Sequence, residues 1–292
     1  MRGSLLNDRF PRSNRYNPEW LIESPMAAHP LWLTEWLTTH LELEPGMRVL
    51  DLGCGKAKSS IFLANEFDVE VYAADLWTGA DENLMRLEDA AVSDRVFPFH
   101  ADARSLPFAG EFFDLVVGID SFNFFATDDL YMNYLAHFVR DGGLLAFASS
   151  GLMRDFEAGL PEHLRRLWTG DFWTLHTSAW WRDHVAKTGL FEVSYAGDLP
   201  DGWQLWADWA EATGSERWYQ DALKADSGRY LGYVGLVARR APGVEPVEHA
   251  WPAVLPCRPS EYAPHPILRA EQPELGGVRS SIRRLRPPFL RP

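Results

Sequence analysis

Apolar residues fall into short runs separated by longer segments of helical periodicity, and the alternation persists over most of the chain. Residues 47–52, MRVLDL, form a continuous apolar run that ends at glycines, the pattern of a strand buried on both faces. Ile61, Phe62, Leu63 and Phe67 then recur at helical spacing within residues 58–67. A second run covers 69–75, and Leu84, Leu87 and Ala91 mark one face of the next helix. Further strands are expected at 96–100, 112–119 and 144–148, with a helix at 128–138 and Gly142-Gly143 turning the chain into the fifth strand. A helix at 178–187 and strands at 191–195 and 230–238 bring the strands to seven. Such alternation implies an α/β fold of Rossmann-like type, with a seven-stranded, mostly parallel sheet and helices on both faces.

Segments outside this alternation divide the chain. Residues 1–46 are helical near 29–43 and precede the first strand, which suits a helical N-terminal cap. The core then spans 47–240, with insertions at 151–177 and 200–228 that hold Trp168, Trp173, Trp203, Trp206, Trp209 and Trp218. These tryptophans either build a secondary core or line a substrate pocket. Residues 241–292 carry eleven of the 20 prolines and are expected to form an extended tail.

Composition narrows the partners. A formal charge of −13 opposes nucleic acid and anionic membranes over most of the surface. With two cysteines, no long apolar span and no apolar leader core, the expected compartment is the cytoplasm. No metal site is expected, and a homodimer is left open.

The strongest chemical signal is VLDLGCGKA, residues 49–57. Glycines after a buried strand let backbone amides approach a ligand, and the following helix N-terminus favours negative charge. The dinucleotide fingerprint requires a glycine three positions after Gly55, where Lys58 stands instead. Asp75 ends the second strand twenty residues beyond Gly55, the position of a carboxylate that holds both hydroxyls of a ribose; alone it would read as a helix cap or turn residue. Asp102-Ala103 and Asp120-Ser121 follow the third and fourth strands, so polar groups recur at one sheet edge.

Together with HADARSLPF, FFDLVVGIDSF and the DGGLLAF turn, this run resembles the class I S-adenosylmethionine-dependent methyltransferases in order and spacing. Within them the chain looks most like bacterial small-molecule enzymes grouped with ubiquinone-biosynthesis and cyclopropane-fatty-acid methyltransferases. NPEWLIESPMAAHPLWLTEWL is similar to that group's helical cap. The resemblance implies S-adenosyl-L-methionine as cofactor, with Asp51, Gly53 and Gly55 around its amino-acid part and Asp75 on the ribose. Leu76 and Trp77 would cover the adenine, Asp102 and Ala103 would meet its amine, and Asp120 and Ser121 would lie near the methionine moiety and the substrate. Ala57 replaces the third small residue of the family's loop, and SFNFF follows Asp120 where the relatives are more polar.

The implied function is methyl transfer to a small apolar or aromatic molecule. The alternative is a cofactor-binding protein that catalyses a non-methylating reaction or none. A transferable methyl arrives activated, so the protein must chiefly align the acceptor and exclude water. His29, Asp120, His176 and Glu35 are the candidate bases, and Trp32, Phe122, Phe124 and Phe125 the candidate substrate contacts.

Overall fold

The computed structural model describes residues 5–26 and 28–248. A 3-10 turn, Ser13–Arg15, leads to α1 (Pro18–Glu23) and α2 (Pro30–Thr38). Each helix has proline in its first turn and a side-chain cap: Asn17 Oδ1 accepts from the amide of Glu19, and His29 Nδ1 from that of Trp32. Leu31, Trp32, Leu33, Trp36 and Leu37 are all buried, so α2 is enclosed by the rest of the fold.

The core follows as β1 (Arg48–Leu52), α3 (Lys58–Phe67), β2 (Glu70–Asp75), α4 (Ala80–Asp89), β3 (Val96–His100) and β4 (Phe113–Ile119). Then come α5 (Tyr131–Ala136), β5 (Val139–Leu152), α6 (Gly170–Trp173), α7 (Ser178–Ala186), β6 (Phe191–Asp198), α8 (Gly202–Ala212), α9 (Arg217–Asp226) and β7 (Leu231–Arg240). One sheet holds all seven strands in the order β3-β2-β1-β4-β5-β7-β6, parallel except for β7, which runs against both neighbours. Strand order reverses between β1 and β4, and the crevice beyond their carboxyl ends is where open sheets bind ligands.

Period-two alternation assigns the core. Val49, Val71, Leu115, Val117 and Ala146 face the cap and α8, whereas Leu50, Val116, Leu145 and Phe147 face Tyr131 and Trp181. The seven expected strands are present, and several elements differ in extent. β5 begins five residues early and ends four late, because Val139 pairs with Phe113 of β4 at one end and Leu152 with Leu231 of β7 at the other. The helix expected at 128–138 contracts to α5. The insertion at 200–228 is largely two helices, α8 and α9, where tertiary packing of Trp206 and Trp209 supplies what the sequence periodicity did not reveal.

Past β7 the backbone at 242–248 has no helix or strand and is pinned to the core. Val247 and Asn133 exchange two hydrogen bonds, and Gly243 donates its amide to Asp141. The expected extended tail otherwise falls on 249–292, outside the described residues. Among the described residues no helix is long and apolar enough to cross a membrane.

Candidate active site

The loop after β1 is fixed from three sides. Gly53 and Cys54 donate their amides to the carbonyl of Ala74, Gly55 donates to Asp75 Oδ2 at 2.8 Å, and Asn83 of α4 donates to the carbonyl of Gly55 at 2.9 Å. Gly53 has φ +76°, and a Cβ there would lie 2.5 Å from Cβ of Ser121. No other residue type fits without displacing Ser121, whose hydroxyl is itself tied to the carbonyl of Leu52. Ala57, at φ 56°, adopts the left-handed conformation despite its side chain and sits as the N-cap residue of α3.

Two carboxylates bracket the loop. Asp51 is fully buried; its Oδ2 accepts from the hydroxyls of Ser59 and Ser60, both at 2.6 Å, and its Oδ1 has no hydrogen-bond partner. Burial pushes its pKa up to about 6, against the opposing pull of the two serines. Asp75 is more heavily used than its sequence position suggests. Oδ1 accepts from the amides of Trp77 and Thr78 at 2.8 and 2.7 Å, and Oδ2 from Gly55. Turn capping and ligand holding are thus compatible roles, since a carboxylate has about four acceptor sites and three are filled.

Along the rim, Trp77 is 62% exposed and meets Phe124, 42% exposed, edge-on at 5.7 Å. The carbonyl of Leu76 is 2.9 Å from His100 Nε2. Asp102 makes a two-pronged ion pair with Arg104, and the carbonyl of Ala103 accepts from the Tyr131 hydroxyl. Asp120, at φ 54°, projects from the end of β4. Its Oδ1 accepts from the amide of Ser150 and the hydroxyl of Ser149, while Oδ2 is enclosed without a partner. Burial raises the Asp120 pKa, opposed by Ser150, Ser149 and the amide of Ala28 from the cap.

The cap closes over this edge. Met26 rests on the glycine loop, its sulfur 2.4 Å from where a Cβ of Gly55 would stand, and its carbonyl accepts from the indole of Trp209. Lys58 is the anchor: its ammonium donates to the carbonyls of Leu21 and Ser24 at 2.8 and 3.1 Å. The residue that takes the dinucleotide glycine's place therefore fastens α1 to α3. His29 stacks on Trp32 at 4.0 Å and meets Trp209 edge-on at 4.7 Å. Burial holds its pKa down to about 3, so the ring is neutral, with Nδ1 spent on the cap bond and Nε2 enclosed without a partner.

Some expected residues are placed elsewhere. His176 stacks on Trp180 at 3.6 Å and packs edge-on against Trp181, on the sheet face opposite His29, which removes it from the base candidates. Glu35 accepts from the amides of Arg12 and Ser13 and from the Ser13 hydroxyl, so it clamps the leading segment. Phe122 is fully buried, stacked on Phe147 and wedged against Gly118, and Trp32 is enclosed between Phe10 and His29; both are core rather than substrate wall. Phe125 lies beside Gly53, and Phe124 stays at the rim. Met26, Asn83, Ser149 and Ser150 were missed. Only Asn83 left a trace, as a polar residue beside the apolar stripe of α4.

Comparison with known proteins agrees with this architecture. Residues 49–143 match the methyltransferase domain family. The chain is 33% identical over 134 residues to Methyltransferase GfsG of Streptomyces halstedii, covering 46% of this chain and 48% of that protein. It is 32% identical over 167 residues to 27-O-demethylrifamycin SV methyltransferase of Amycolatopsis mediterranei, covering 56% and 60%. It thus spans about half the length of these relatives. In structure it is similar to geranyl diphosphate C-methyltransferase of Streptomyces coelicolor A3(2), with a TM-score of 0.60 at 18% identity over 76% of this chain and 84% of that one. Residues 49–143 thus carry a methyltransferase domain, and the chain shares the fold of methyltransferases of known structure.

Proposed function

We propose that the protein transfers a methyl group from S-adenosyl-L-methionine to a small apolar or aromatic molecule, as a cytoplasmic enzyme. The observation that carries this reading is the glycine loop pinned between Asp51 and Asp75 at the strand-order reversal, with one buried carboxylate oxygen of Asp51 unpartnered. These residues fit the cofactor. Asp51 Oδ1 suits the ammonium of its amino-acid part, beside Gly53 and Gly55, and the last acceptor site of Asp75 suits a ribose hydroxyl. Trp77, exposed at the rim, offers a face to the adenine beside Leu76, with Asp102 and Ala103 at its amine and Asp120 and Ser121 toward the methionine end. Met26 occupies the space over Gly55 and is flexible enough to yield it.

When bound, the cofactor supplies an activated methyl for in-line displacement. The chain's own residues align and dehydrate. The cap, its helix α1 fastened to α3 through Lys58, excludes water from the edge of β1 and β4. Asp120 Oδ2 and neutral His29 Nε2 are buried, unpartnered groups able to accept a proton from an acceptor. The test is incubation with methyl-labelled S-adenosylmethionine and a metabolite extract, followed by mass spectrometry. Labelled product with stoichiometric S-adenosylhomocysteine is expected; cofactor binding without S-adenosylhomocysteine formation would favour the non-methylating alternative.

A further inference from the structure

Between the cap and the α8–α9 hairpin lies a half-open cavity of about 280 Å³, close to the lower end of small-molecule pockets at about 300 Å³. Trp206, Trp209 and Tyr219 supply its aromatic wall and Met26 a thioether, with Thr213 and Ser215 among the other lining residues. Among the described residues no charged side chain lines it.

Hydrogen bonds within the wall hold the rings. The Trp206 indole donates to the Tyr219 hydroxyl at 3.0 Å, the Trp209 indole to the carbonyl of Met26, and the Thr213 hydroxyl to the carbonyl of Trp209. Rings and a thioether recognise flat apolar groups by contact. An anion would lose its hydration here without gaining a cation, under the field of a chain with net charge −13.

Met26 differs from the rest of the wall in two respects. Its backbone carbonyl is tied to Trp209, but its unbranched side chain is 40% exposed and has the rotatable bonds to move. Its sulfur also fills the position that a Cβ of Gly55 would need, so the side chain that lines the cavity packs on the cofactor loop as well. The cavity further borders the end of β4: burial pushes the Tyr219 phenol up to about 12, opposed by the Trp206 bond, and the charge of Asp120 adds to the rise. One side chain thus adjoins both loop and cavity, and the cavity lies within electrostatic reach of Asp120.

Methyl transfer sets a condition on this arrangement, because the reacting atoms must approach to about 3–3.5 Å. With the cofactor on the loop and an acceptor in the cavity, Met26 cannot stay between them. Its side chain has to leave once for two ligands, so whichever ligand displaces it first makes room for the other, and each tightens the other. Resting on the methyl-transfer reading, we propose that this cavity is the acceptor site, that it takes an uncharged molecule with a flat apolar body, and that Met26 is the partition whose displacement couples acceptor binding to cofactor binding.

The experiment measures binding of 2-methylnaphthalene and 2-naphthyl phosphate to the full chain and to its Met26→Ala, Met26→Leu and Trp206→Leu variants, each with and without saturating S-adenosylhomocysteine. In the unaltered chain S-adenosylhomocysteine should tighten 2-methylnaphthalene by about fivefold or more. The phosphate should bind at least about tenfold more weakly than 2-methylnaphthalene. Met26→Ala keeps the carbonyl that holds Trp209 and should bring the tightening below about twofold, whereas Met26→Leu fills nearly the same volume and should retain it. A Met26 that is only part of the wall would instead lower probe affinity in Met26→Ala and leave the tightening intact. Trp206→Leu should weaken 2-methylnaphthalene in both conditions. In chain labelled with carbon-13 at its methionine methyl groups, the resonance missing from Met26→Ala should shift when S-adenosylhomocysteine is added alone. The proposal is overturned by probe binding that S-adenosylhomocysteine leaves unchanged or weakens, by tightening that survives Met26→Ala or is lost in Met26→Leu, or by a Met26 resonance that does not move. Phosphate binding as tight as that of the neutral probe, indifference to Trp206→Leu, or no binding of 2-methylnaphthalene would equally overturn it. Failure of S-adenosylhomocysteine itself to bind would strike the cofactor reading and the coupling with it, while the two probes and Trp206→Leu would still decide which ligand class the cavity takes.

Discussion

The glycine loop after β1 and the chamber between the cap and α8–α9 lie at the same edge of the sheet, yet they are specified by different means. In the loop, backbone geometry dictates residue type: a positive φ and a 2.5 Å approach demand Gly53, and three amides demand a carboxylate at Asp75. In the chamber no backbone requirement selects the residues. Trp206, Trp209, Tyr219 and Met26 come from two distant segments and are matched only by their mutual contacts. The loop should therefore tolerate no substitution, and the chamber should tolerate many at the expense of selectivity.

The largest expected effect lies in the loop. Gly53→Ala combines a left-handed backbone with a clash against Ser121, and should cost about 2–4 kcal/mol in denaturant unfolding. A midpoint equal to that of the unaltered chain would mean that the loop is no more constrained than the chamber.

The cap carries the next effect, through acid. The folded state holds His29 neutral down to about pH 3, whereas the unfolded chain takes up a proton near pH 6.5. Stability is therefore lost as pH falls through that window, by up to about 1.4 kcal/mol per unit for this group. His29→Gln should flatten the pH dependence of the melting temperature between pH 6.5 and 4; an unchanged slope would show that His29 is not the group responsible.

Asp75→Asn comes third. The amide nitrogen cannot accept from Gly55, so about 1–3 kcal/mol of stability should be lost together with about tenfold in S-adenosylhomocysteine affinity, read by calorimetry. A loss of affinity with full stability would make Asp75 a ligand group alone.

The same contrast explains what the chain disclosed. Seven strands, the loop and the spacing of Asp51, Asp75, Asp102 and Asp120 were legible because short-range periodicity and steric necessity write them into adjacent residues. His176 and Phe122 misled because a histidine or phenylalanine near a strand end looks the same whether it faces the crevice or the opposite sheet face; only the register of β5 and the packing of α7 decide. Lys58 was noted only as a missing glycine, since its carbonyl partners are 34 and 37 residues away.

The smallest predicted effect is in the chamber. Tyr219→Phe removes the acceptor for the Trp206 indole and should cost about 0.5–1.5 kcal/mol, with cofactor affinity intact. A fall in cofactor affinity as large as that of Asp75→Asn would mean that chamber and loop are one site energetically.

The central claim, that the loop holds the cofactor and the chamber the acceptor, is tested most directly by titrating S-adenosylhomocysteine into the unaltered chain, Gly53→Ala and Trp206→Leu, each first shown to be folded at the titration temperature. The account predicts tight binding to the unaltered chain, a loss of about a hundredfold or more in Gly53→Ala, and a change of less than about threefold in Trp206→Leu. Unaltered binding in Gly53→Ala, or equal losses in both variants, would contradict it.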